Sequence, residues 1–137
     1  MYYSTGCAHA PHHIWKEWAD KFSGQFDDGW DKMREQTFER QKKMGIIPAD
    51  SKLSPRPKEI PAWDEMPEAL KPVLARQMEI YAGFLEHTDH HVGRLIDALA
   101  DLEILEDTLI YLIIGDNGAS AEGTLQGTFN EMLPLNG

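Results

Sequence analysis

The chain has 137 residues, 42% apolar and 26% charged, a balance that excludes wholesale disorder and allows one modest core. Its formal net charge of -10 repels phosphate backbones, so nucleic acid is not an expected partner. No apolar run approaches the roughly 18 residues of a membrane span, and Met1–Gly6 carries neither the basic nor the apolar region of a signal peptide. The single cysteine, Cys7, excludes an internal disulfide and leaves the compartment open.

In chain order, Met1–Gly6 reads as the last residues of a strand, followed by the loop Gly-Cys-Ala-His-Ala-Pro-His-His, which Pro11 restricts. Trp15 and Trp18 belong to a short helical or turn segment ending near Gly24. Asp27 or Asp28 can cap a helix from about Trp30 to Met44, with Gly45 as its stop signal. That helix is highly charged, with Trp30, Met33, Phe38 and Met44 as its clear apolar residues, so it is expected on the surface. From Ile46 to Pro72, six prolines interrupt every regular element, leaving a long irregular connection with Trp63 as its anchor.

Val73, Ile80, Tyr81, Phe84, Leu85, Val92, Leu95, Ile96, Leu99 and Leu102 follow the helical period and predict a helix over about 72–102. Its apolar stripe is expected to pack on the next element. That element is Thr108–Ile114, an apolar run read as a central strand covered on both faces. The strand ends on Gly115-Asp-Asn-Gly118, where a sheet of this kind binds its ligands. Asp116 and Asn117 offer two hard oxygens that suit calcium or magnesium; Asp, Asn and Gly are equally the residues of an ordinary turn. Among the histidines, His9 sits in a loop after a strand end, where an imidazole can bind an anion or carry a proton. His12 and His13 read as surface or packing residues. His87 and His91 lie four apart on the long helix and could face one metal, as zinc ligands do elsewhere, but no third ligand is spaced for it. They are therefore expected to be partly buried structural histidines.

His9-Ala-Pro-His-His followed by Trp15-Lys-Glu-Trp18 resembles bacterial-type arylsulfatases, as do Phe84–Asp97 and Ile113-Ile-Gly-Asp-Asn-Gly-Ala-Ser-Ala-Glu-Gly123. The order and spacing of these segments carry the resemblance, which covers essentially the whole chain. It implies a calcium-dependent hydrolase of sulfate esters in the alkaline-phosphatase-like superfamily. The fold it implies is α/β, here a partial sandwich: a mostly helical fragment with one clear central strand and part of another. By the same resemblance Asp116 and Asn117 are metal ligands, and His9 contacts the sulfate with possible proton transfer. The family's nucleophile is a formylglycine made from cysteine or serine in a Cys-x-Pro-x-Arg-type motif. Cys7-Ala-His-Ala-Pro11 does not match it.

The chain thus reads as an internal segment of a sulfatase catalytic domain, 1–137. Residues 1–26 form the strand end and histidine loop, 27–71 the surface helix and Pro-rich connection, and 72–137 the long helix, strand and Asp-Asn turn. Isolated, it is expected to be inactive, to bind calcium weakly or not at all, and to expose sheet surface for the rest of the sulfatase chain or a second copy. Two alternatives stand beside this reading: a phosphate or phosphonate ester hydrolase of the same superfamily, and a non-catalytic helical interaction module.

Overall fold

A computed structural model describes residues 1–113. The described chain is helical: α1 (Lys16–Asp20), α2 (Gly29–Lys43), a 3-10 turn (Trp63–Glu65) and α3 (Lys71–Asp101). No strand occurs among the described residues, which corrects the expected α/β architecture. Residues 108–113 lie outside helix and ladder alike, and Leu109, Tyr111, Leu112 and Ile113 are between 71% and 90% exposed. Met1–Gly6 likewise forms no strand and is exposed. The physical reason is hydrogen bonding. A strand satisfies its N–H and C=O groups only against another strand, whereas a helix satisfies them within itself. Ile114 and the Gly115-Asp-Asn-Gly118 turn lie outside the described residues. No described helix is long and apolar enough to cross a membrane.

The chain divides into two compact units, Phe22–Glu79 and a second made of Met1–Lys21 with Ile80–Gly137. In the first, α2 begins where a glycine permits a left-handed backbone, Gly29 at φ 74°. It ends in a paired-bond cap, with Ile46 N–H donating to Gln41 O and Gly45 N–H to Lys42 O while Gly45 takes φ 71°. Six-to-one and five-to-two bonds around a left-handed glycine are what satisfy the last carbonyls of a helix. Asp31 stands in the first turn and Arg40, Lys42 and Lys43 in the last, matching the helix dipole at both ends.

The Pro-rich connection returns along α2 and is pinned at named points. Arg34 donates through Nη2 to the carbonyl and hydroxyl of Ser54, at 2.6 and 2.7 Å. Trp30 Nε1 donates to Pro61 O at 3.0 Å, and Trp63 N–H donates to Asp31 Oδ2 at 2.8 Å. Trp63 buries its indole edge-on to Trp30, ring centres 4.8 Å apart, in a core with Met66, Leu74 and Ala75. The anchoring role expected of Trp63 is therefore visible in its burial. A carboxylate closes the unit: Glu79, 5% exposed, accepts from Gly24 N–H at 2.8 Å and from Arg76 Nη1 at 2.7 Å. Two charge-assisted bonds offset the cost of burying that charge.

In the second unit, α1 lies directly on α3 at Gly83. A Cβ there would stand 2.8 Å from the Trp18 carbonyl carbon and oxygen, so only glycine fits. Ala19 is buried, and Lys21 extends over the Trp18 ring at 4.0 Å to pair with Glu86 at 2.7 Å. Helix α3 ends in the same kind of cap as α2, with Ile104 N–H on Leu99 O and Glu103 N–H on Ala100 O. Here the left-handed residue is Glu103, at φ 57°.

Two outcomes follow from these backbones. Gly29→Ala places a methyl 2.0 Å from the Trp63 ring at a left-handed φ, and is expected to cost about 2 kcal/mol or more, read from the urea midpoint. Glu103→Gly relieves the strained cap and is expected to add about 1 kcal/mol by the same measurement.

Candidate functional site

His9 stands on an exposed turn closed by its own N–H on Gly6 O at 2.8 Å. Its Nδ1 lies 2.5 Å from the Ala10 carbonyl, a geometry in which Nδ1–H donates, so that Nε2 can donate to an anion only when the ring is protonated. Three residues on, His12 fastens the loop. Its Nε2 reaches Ala8 O at 3.1 Å, and its ring meets the edges of Tyr81 and Phe84 on α3 at 5.4 and 5.9 Å between centres. His12 is thus a packing residue that holds the His9 turn against the long helix, while His13 is exposed. Cys7 in the same loop is a free, half-buried thiol.

Asp116 and Asn117 lie outside the described residues, so their placement relative to His9 is not part of the described geometry. No group of three His, Cys, Asp or Glu side chains able to hold a metal occurs among the described residues.

The structure does bring together residues that the sequence treated one by one. Along α3, His87, His90 and His91 form an aromatic cluster with Trp15 and Trp18. The ring of His87 lies 5.5 Å from that of Trp15 and 5.2 Å from that of Trp18, centre to centre. His91 Nε2 is 3.0 Å from His87 Nε2, and Arg94 Nη1 is 3.1 Å from His91 Nδ1. Helical spacing pointed to the His87–His91 pair; the two tryptophans came from α1, across some seventy residues of sequence, and no local pattern announced them.

Desolvation holds His91 below its ordinary value of 6.5, and the charges of His87, Arg94 and His90 push in the same direction. The unfolded chain therefore binds protons at His91 that the folded chain resists. Stability from this group is fully present above about 6.5 and is lost as pH falls through the lower folded-state value. The urea midpoint is expected to drop on acidification below about 6.5, and His91→Gln to flatten that part of the profile.

Comparison with known proteins places these residues in a family context. The sequence model of the family described as Sulfatase matches residues 1–135. The chain is 32% identical over 123 residues to an uncharacterized sulfatase of Schizosaccharomyces pombe, covering 88% of this chain and 21% of that protein. It is 29% identical over 126 residues to an arylsulfatase of Klebsiella aerogenes, covering 92% of this chain and 26% of that one. The chain thus spans about a fifth to a quarter of the length of these relatives.

Proposed function

The chain belongs to the sulfatase family, and from that premise we propose that it forms part of a calcium-dependent enzyme that hydrolyses sulfate esters. The observation that carries this reading is the extent of the family match. It runs through both segments with oxygen or imidazole chemistry, His9-Ala-Pro and Gly115-Asp-Asn-Gly118. In this reading Asp116 and Asn117 hold calcium, through a carboxylate and an amide oxygen. Their donor chemistry fits a hard cation, but two ligands fall short of the six to eight that calcium takes, so the others come from elsewhere. Once bound, such an ion would supply positive charge to offset that of a sulfate ester.

The chain's own contribution is then positioning. His9 offers an imidazole to a sulfate oxygen, donating a hydrogen bond when protonated and so favouring the charge that builds as the ester bond breaks. The Ala10 carbonyl on Nδ1 orients that ring, and His12 anchors the turn through Tyr81 and Phe84. Cys7-Ala-His-Ala-Pro11 lacks the arginine of the family's nucleophile motif, so the 137-residue chain alone is proposed to be inactive.

The test uses the complete enzyme with p-nitrophenyl sulfate. Asp116→Ala is expected to lower kcat by about a hundredfold or more and to weaken calcium binding. His9→Ala is expected to retain calcium affinity while losing turnover. Unchanged turnover and calcium affinity in Asp116→Ala would overturn the metal assignment. Preference for a phosphate over a sulfate ester would replace the substrate class within the same superfamily.

A further inference from the structure

Two imidazole nitrogens converge on α3 at a separation that a metal ion could bridge. His87 and His91 are one turn apart, and their Nε2 atoms stand 3.0 Å from one another. Two nitrogens bound to one ion at about 2.0–2.1 Å, at square or tetrahedral angles, lie roughly 2.9–3.4 Å apart. The rings already occupy that separation without any turn of the helix being remade. His87 is fixed edge-on by Trp15 and Trp18, and both histidines are half-buried, so little rotamer freedom remains to be lost on binding.

The geometry points to His87 and His91 as a two-nitrogen chelate for a divalent transition ion of the zinc, nickel or copper kind, independent of the oxygen pair assigned to calcium. Imidazole suits these borderline ions, whereas calcium prefers oxygen. With no three His, Cys, Asp or Glu side chains arranged to hold a metal among the described residues, water completes the coordination and the ion exchanges readily.

Arg94 opposes binding. Its guanidinium cannot deprotonate, so at 3.1 Å it donates to His91 Nδ1. A neutral His91 then carries its proton on Nε2 and donates it to His87 Nε2. When a metal takes Nε2, that proton moves to Nδ1 and the Arg94 donor must turn away. The arginine's charge also repels the ion. Residues within one turn of each other therefore have opposite signs: the histidines hold the ion and Arg94 weakens it.

The experiment titrates the tag-free chain with nickel or copper(II), by calorimetry and by quenching of tryptophan fluorescence, to which Trp15 and Trp18 beside His87 report directly. Saturable one-to-one binding is expected, undiminished by excess calcium. It should be weaker by about tenfold or more in both His87→Gln and His91→Gln. It should persist in His13→Gln, tighten in Arg94→Leu and fade on acidification, as protons compete with the ion for imidazole. The pH response of the unmodified chain needs no variant to fold, and circular dichroism checks the helix in those that are used. Absence of saturable binding would overturn the site. So would affinity retained in His91→Gln, or lost equally in His13→Gln.

Discussion

Every N–H and C=O group taken from water needs a partner, and helix α3 meets that requirement through its own backbone over 31 residues. Its first residues, to Glu79, belong to one unit and those from Ile80 to the other. In one, Leu74, Ala75 and Glu79 give it an apolar patch beside a carboxylate with two partners. In the other, Gly83 opens a place for the backbone of α1, and His12, Trp15 and Trp18 set their rings on Tyr81, Phe84 and His87. Long helices in proteins owe most of their stability to such packing rather than to propensity.

Close approach is the second recurring device. Trp63 closes on Gly29, and α1 closes on Gly83, each at a distance that leaves no room for a Cβ. The Gly29 contact explains how an irregular Pro-rich segment can hold a defined position. Prolines remove donors and limit φ, which keeps the segment out of regular structure, while one buried indole and a few directed hydrogen bonds fix it to α2. Such anchoring carries sequence-distant information, since Asp31 and Trp63 lie more than thirty positions apart.

For the candidate site, the same separation between local and distant information holds. The His9 turn is a local object, closed by Gly6 and oriented by Ala10, and its chemistry could be read from the loop itself. Its support is not local: Tyr81 and Phe84 come from α3 and reach it through His12, a residue whose sequence context suggested no particular partner. The histidine cluster behaves alike. The spacing of His87 and His91 announced that they share a face, but the 3.0 Å convergence, the opposing Arg94 and the tryptophan edges are consequences of rotamer choice and packing.

By itself the sequence determined the elements whose bonding is short-range. The helices over 29–43 and 71–101 stand within a residue or two of their expected bounds, because apolar period, charge distribution and the glycine at 45 all act within a few turns. It also determined the family, since the order of motifs along the chain is a linear property. The state of 108–113 was not determined that way. Its apolar run satisfies the pattern of a buried strand, yet pattern alone provides no neighbouring strand, and among the described residues the run stands without a ladder. Tertiary structure decided that point, along with the seating of Trp63 on Gly29 and of α1 on Gly83, because each depends on a partner far along the chain that no local rule can name.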